Sequence, residues 1–347
     1  MFLIYFSFRF LKYKNYCVLP YVKRSSMENS LEILDRITLI IHISENYLDH
    51  RLIEQVEAWD GPVTLAIIIP SFNIFDKIRN VQIKLLHLPV NVLEKLSAHI
   101  IFESNISCTT NSVKSLNDFT TISKYPINIA RNIARMFIPS KYVIIGDYEF
   151  IFSQNFEQKM RPLAKQEFTK NPKSVLVFRT FEINESVVRL PRDKSELKKL
   201  YSQGLAVQFH AKFNQGGHAI PDLPKWFNYP ENNHTIIIDK ILKFDRHGWE
   251  PQFISLNTIP FHDENFPYSI RDNTVLRWEM CRQNYTFMLL NNVFMMHKGI
   301  KTVDDIPKVK EMQSKVKSQF ITALALFNKR MDDEYPETKR NCPTFRA

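Results

Sequence analysis

Hydrophobic positions fall in blocks along the chain. ITLIIHIS (37–44) and PVTLAIIIPSF (62–72) are nearly continuous apolar runs containing β-branched residues, the pattern of strands buried on both faces of a parallel sheet. Between them HRLIEQVEAW (50–59) reads as a helix. VQIKLLHL (81–88) and AHIIFES (98–104) read as two further strands, separated by a helical VNVLEKLS (90–97). Strands separated by helical segments predict an α/β fold.

Farther along, YPINIARNIARMFIP (125–139) carries Ile129, Ile133 and Phe137 four residues apart, so a helix is expected to start near Pro126 and to stop before Pro139. Arg131 and Arg135 share another of its faces, where a helix-surface charge is the simplest role. KYVIIGDYEFIFS (141–153) then runs an apolar strand into Gly-Asp-Tyr-Glu. Two carboxylates two apart in an extended segment point the same way, and ligands of open α/β sheets bind beyond the carboxyl ends of strands. Asp147 and Glu149 thus offer hard oxygen ligands for Mn²⁺ or Mg²⁺, and a cation there can hold a diphosphate. Without other evidence, a solvated loop start is the commoner reading of such a pair.

Composition narrows the classes. The 347 residues are 44% hydrophobic, enough for a sizeable core. Residues 1–31 read as a variable lead. Its apolar opening MFLIYFSFRF is interrupted by Arg9, Lys12 and Lys14 well short of the roughly 20 residues of a spanning helix, so a remnant signal anchor with N-terminal membrane association is one expectation. Residues 32–330 form the main domain and 331–347 a tail. Residues 304–330 read as an amphipathic helix, with Phe320, Ile321, Leu324 and Phe327 on its apolar side. Packing on the domain is its commoner use, and a basic membrane-facing surface the other.

The net charge of +10 suits an anionic ligand, and its scattered positives match no nucleic-acid-binding module, so no nucleic acid is expected. Cys17, Cys108, Cys281 and Cys342 lack metal-site spacing and allow three pairings. Sequons at Asn105, Asn184, Asn233 and Asn284 lean toward a secretory lumen. There is no Gly-x-Ser-x-Gly elbow, no P-loop and no dinucleotide-binding glycine run, which disfavours the hydrolase, P-loop and dehydrogenase classes.

Taken in order, YPINIARNIAR, YVIIGDYEFIFS, QGGHAIPDLPKW, WEPQFI, DENF and FMMHKGIK resemble glycosyltransferase family 49, the family of β-1,4-glucuronyltransferase and of the glucuronyltransferase domain of LARGE enzymes. The six segments span residues 125–301, and the PVTLAIIIP strand extends the similarity to about residue 62. The resemblance implies a GT-A fold with a central, mostly parallel mixed sheet. It also implies inverting transfer of a sugar, glucuronic acid first, from a UDP-sugar to a glycan acceptor on a glycoprotein. A manganese ion at an Asp-x-Asp motif, and residence in the Golgi as a type II membrane protein, belong to the same expectation.

Carried over by position, Asp147, Glu149 and His297 match the metal site. Glu149 departs from the family's aspartate by one methylene. Arg131 and Lys298 are candidate diphosphate contacts. Asp263, Glu264 and Asp272 are candidate bases, although Asp-Glu-Asn is equally good turn chemistry. His218 either binds a substrate hydroxyl or pins its glycine-rich loop. Glu250 is a candidate contact to donor or acceptor, and Trp226 and Trp249 either stack on a sugar or fill the core. Ser269-Ile270-Arg271-Asp272 replaces the family's aromatic-Gly-aromatic-Asn run, so a different acceptor is expected. Two alternatives stand beside this reading: a transferase using UDP-xylose or UDP-N-acetylglucosamine, and a glycan-binding relative that has lost turnover.

Overall fold

The computed structural model describes residues 8–114, 125–214, 216–231, 236–244, 246, 248–342 and 345–346. A hairpin of β1 (Leu11–Tyr13) and β2 (Tyr16–Lys23) precedes β3 (Ile37–Ser44), α1 (His50–Ala58), β4 (Val63–Ile68), α2 (Ile74–Leu86), α3 (Val90–Lys95) and β5 (Leu96–Glu103). Next come α4 (Thr110–Lys114), α5 (Ile127–Met136), β6 (Tyr142–Ile145), β7 (Phe150–Phe152), α6 (Phe156–Lys170) and β8 (Ser174–Ile183). They are followed by α7 (Lys194–Ser202), β9 (Ala206–Gln208), α8 (Leu223–Asn228) and β10 (Ile238–Leu242). The order closes with β11 (Gln252–Leu256), α9 (Thr274–Arg282), β12 (Thr286–Lys298) and α10 (Ile306–Glu334).

Among the described residues these strands join one mixed sheet in the order β1-β2-β5-β4-β3-β6-β11-β8-β12-β10, with β7 added to β12 and β9 to β8. The β5-β4-β3-β6 block is parallel, as is the β8-β12 pair, and the remaining pairs are antiparallel. β3 and β4 are buried along almost their whole length, which is why their sequences are apolar at successive positions. The mixed α/β class expected from the sequence is the one observed.

One expected strand is a helix. VQIKLLHL lies mostly within α2, whose buried residues Ile74, Ile78, Val81 and Leu85 recur every three or four positions. The helical period starts upstream, at FNIFDKIRN, and a short apolar window conceals it. By contrast α5 follows its expectation, ending at Met136 before Pro139.

Described segments near both termini are built into the domain. β2 pairs with β5, and Cys17 is bridged to Cys108, so residues 11–23 of the expected lead form the hairpin at one edge of the sheet. At the other end α10 continues to Glu334, Cys342 is bridged to Cys281, and Phe345 packs on Trp278 inside the core. α10 docks through Phe320, Ala323, Phe327 and Met331, whereas Ile321 points outward. Among the described residues no helix is long and apolar enough to cross a membrane. Of the four sequons, Asn105 and Asn284 are exposed and Asn184 is half-buried, while Asn233 lies outside the described residues.

Candidate active site

A cavity of about 570 Å³ opens beyond the carboxyl ends of β3 and β6. His42 of β3, Arg131 of α5 and the Asp147–Glu149 turn form one wall, and His210, His218, Glu250, Asp272, His297 and Lys301 close the others. The site is therefore assembled from segments far apart in the chain.

The acidic stretch is a turn and not the extended segment expected. Glu149 has φ 79°, in the left-handed region that a residue with a Cβ seldom occupies, at a cost of roughly 1–3 kcal/mol. The turn sends the two carboxylates to different partners. Asp147 Oδ1 accepts a hydrogen bond from Arg131 Nη2 at 2.7 Å and lies 3.5 Å from His42 Nε2. Glu149 is bound by Arg51 Nη1 through Oε1 and lies 3.3 Å from His297 Nε2 through Oε2. Arg51 in turn donates to Asp49, its Nη2 at 2.8 Å from Oδ2.

Arg131, the expected helix-surface charge, is 2% exposed. It bridges two acids: Nη1 donates to Asp272 Oδ2 at 3.0 Å while Nη2 holds Asp147. Asn128 steadies the pair, accepting from Arg131 and donating to the carbonyls of Asp263 and Asp272. The cavity wall partly desolvates Asp147, which is 46% exposed, but the charge of Arg131 and the contact with His42 outweigh that and hold the carboxyl well below the usual range. Asp272 goes the other way, pushed up by burial despite Arg131. Arg135, one turn along, instead donates to the carbonyls of Asn257 and Pro260 and fixes that turn.

Histidines supply the rest of the wall. His42 Nδ1 lies 2.9 Å from the hydroxyl of Tyr125, and burial lowers the pKa of the ring despite the neighbouring Asp147. His218 Nδ1 donates to the Glu250 carbonyl at 2.9 Å, and burial lowers its pKa to about 4. His218 therefore both pins its loop and lines the cavity. Behind the wall Glu182 is fully buried, and burial pushes its pKa up to about 7.

Other candidates lie elsewhere. Asp263 Oδ1 accepts from the backbone and side-chain amides of Asn265, and Glu264 accepts from Tyr13 and Asn132, so this Asp-Glu-Asn stretch acts as a turn and a clamp on the β1 hairpin. Neither lines the main cavity. Lys298 faces a neighbouring 620 Å³ cavity with His50 and Glu54, and it is Lys301 that reaches both spaces. Trp226 and Trp249 are core residues. His42, Tyr125, His210 and Lys301 were not singled out by the sequence. The signal for His42 was present, an imidazole inside a mostly apolar strand; the others had none.

The donor chemistry of Asp147, Glu149 and His297 suits a hard divalent cation, and all three border one cavity. They do not form a ready cage. Arg131 and Arg51 already neutralise the two carboxylates, and no group of three His, Cys, Asp or Glu side chains is arranged to hold a metal ion among the described residues.

Comparison with known proteins completes the picture. Beta-1,4-glucuronyltransferase 1 of Danio rerio is 26% identical over 219 residues, 63% of this chain and 49% of that protein. The Mus musculus protein of the same name is 26% identical over 222 residues, covering 64% and 51%. Xylosyl- and glucuronyltransferase LARGE1 of Mus musculus is 22% identical over 274 residues, 78% of this chain and 32% of that one. The chain spans about half the length, or less, of the curated relatives it matches. Among solved structures, GalNAc-T7 with UDP, GalNAc and Mn²⁺ is similar at a TM-score of 0.40 and 10% identity, over 77% of this chain and 44% of that one. The model of the family described as glycosyl-transferase for dystroglycan matches residues 36–336, nearly the whole chain, and the chain belongs to that family.

Proposed function

We propose that this protein is an inverting, metal-dependent glycosyltransferase of GT-A type. It moves a sugar, glucuronic acid first, from a UDP-sugar to a hydroxyl of a glycan acceptor on a glycoprotein. The observation that carries the reading is the meeting of the Asp147–Glu149 turn with His297 in a cavity at the carboxyl ends of parallel strands, walled by Arg131 and Lys301. Family membership and the names of the relatives support the reaction class and the donor.

Asp147, Glu149 and His297 would hold Mn²⁺ or Mg²⁺, a Lewis acid for a departing diphosphate. Lys301, at the cavity rim, adds positive charge where an anionic donor enters. Arg131 fixes Asp147 and Asp272 in place; its charge is committed to them and is not spare for phosphate. Two disulfides and exposed sequons suit an oxidising lumen, and a Golgi location follows from the resemblance.

One observation favours a second reading. Both metal-site carboxylates are satisfied by arginine, as they would be in a glycan-binding relative without turnover. Isothermal titration with UDP, with and without Mn²⁺, separates the two. Metal-dependent UDP binding in the wild type, lost in Asp147→Ala and His297→Ala, is expected. A folded wild type that binds UDP equally weakly with and without Mn²⁺ would remove the donor site and favour the second reading.

A further inference from the structure

We infer that Glu250 is the base that takes the proton of the acceptor hydroxyl, an assignment that rests on the transferase reading above. Four carboxylates line the cavity, and three are committed. Asp147 and Asp272 share Arg131 at 2.7 and 3.0 Å, and Glu149 is bound by Arg51. Among the described residues Glu250 has no such ion pair; its carboxylate is held by the neutral side chain of Asn273 and is the one not committed to a counter-charge.

The chain holds Glu250 firmly while leaving its carboxylate to the cavity. Its backbone N–H donates to the Gly217 carbonyl at 2.7 Å, and its own carbonyl accepts from His218. On one side Trp249 is buried in the core; on the other, Arg277 Nε donates to the Pro251 carbonyl at 3.0 Å. A base fixed on its backbone from three directions is preorganised for proton transfer.

The charges facing it set its strength. Burial and Asp147 raise its pKa, whereas Arg277 of α9, Arg131 of α5 and Asn273 lower it, with a net upward shift. Glu250 is thus a stronger base than a solvated carboxylate. His218, with a conjugate acid near pH 4, and His210, near pH 2, are poor proton acceptors by comparison. Asp272 would have to give up Arg131 to accept a proton, so its part is to position that arginine.

In the step itself the acceptor oxygen forms a bond to the anomeric carbon as its proton passes to Glu250. The bond from that carbon to the β-phosphate oxygen breaks, its electron pair leaves with UDP, and the configuration inverts.

The test uses the full chain with Mn²⁺. UDP release is measured from UDP-glucuronic acid, UDP-xylose and UDP-N-acetylglucosamine, with p-nitrophenyl β-xyloside, β-glucoside, β-galactoside and β-N-acetylglucosaminide as acceptors. UDP affinity is measured separately by titration. Glu250→Gln should lower kcat about 10²- to 10⁴-fold, with UDP affinity within twofold of wild type. Glu250→Asp should recover part of the rate, and the acidic limb of the kcat/KM profile should vanish in Glu250→Gln. A Glu250→Gln enzyme within tenfold of wild type, or an Asp272→Asn variant that loses more turnover, overturns the assignment. A wild type that binds UDP with Mn²⁺ yet turns over no pair also overturns it while leaving the donor site standing. Loss of UDP binding in the wild type refutes the transferase reading instead.

Discussion

Replacing Arg131 by methionine tests the electrostatic hub of the site. The change keeps most of the apolar stem and removes a 2% exposed charge that holds two carboxylates. Removing one partner of a buried ion pair costs about 3–5 kcal/mol, because the other charge stays behind unpaired. Here the two halves differ. Asp147 is 46% exposed through the cavity, so water screens it and its share falls to about 1 kcal/mol or less. Asp272 is 14% exposed and cannot be rescued that way. About 3 kcal/mol is the expected total.

The loss should depend on pH with a definite sign. In the wild type the depressed Asp147 pKa contributes stability above the unfolded value near 3.9, lost only as pH falls through the folded value. In Arg131→Met both carboxylates lose their counter-charge: the Asp147 pKa rises from its depressed value, and the Asp272 pKa, already raised by burial, rises further. The penalty is then fully present at pH 7–8 and relieved as pH falls and the acids protonate. Urea unfolding followed by circular dichroism at pH 5 and pH 8 reads this directly, and Asp272→Asn in the Arg131→Met background should restore part of the stability. A loss under about 1 kcal/mol, or one equal at both pH values, would refute the hub.

Arg51→Ala should free Glu149 and raise Mn²⁺ affinity about three- to fivefold, the worth of a partly exposed ion pair of 39% and 27% accessibility; weaker metal binding in a Mn²⁺ titration would count against it. Cys281→Ser, opening a bridge that spans 61 residues, should cost about 4 kcal/mol on the chain-entropy account, visible as a lower melting temperature that added reductant reproduces in the wild type. Phe327→Ala on α10 removes a buried ring that packs on Phe266 and Phe345, and should cost about 3–5 kcal/mol; an unchanged melt would mean that α10 is not docked as described. Gly61→Ala should cost about 1–3 kcal/mol in urea unfolding, since a Cβ there would lie 2.8 Å from both the Ile37 carbonyl and Glu157 Cγ.

Much of the sheet was legible because strands buried on both faces read as near-continuous apolar runs, and β3, β4 and β5 are mostly apolar. α2 was not, since its period becomes visible only over a window longer than VQIKLLHL. In the site, Asp147 and Glu149 stood out as polar interruptions of an apolar stretch, and His297 only through its place in the family resemblance. Nothing local distinguished Arg131 from a surface arginine: its burial depends on Asp272, 141 residues later. The same reason hid the fate of Asp263 and Glu264, whose partners lie on α10 and in the β1 hairpin. Glu149's backbone reversal was invisible too, because the groups that hold its carboxylate, Arg51 and His297, come from distant parts of the chain.

The long strand β12 gives the site a schedule. Met296 sits between Ile151 of β7 and Phe181 of β8, and the next residue, His297, reaches Glu149 across 148 positions of chain. On a ribosome adding roughly 5–20 residues per second, Glu149 waits about 7–30 s for that imidazole to be made. Contacts this distant in sequence form slowly even once both partners exist. Until then the nascent acidic turn has only the arginines already synthesised, Arg51 and Arg131, to neutralise it. Its imidazole partner arrives with the last strand of the sheet to be made, so a chain truncated before β12 should lack the finished site however well its first half folds.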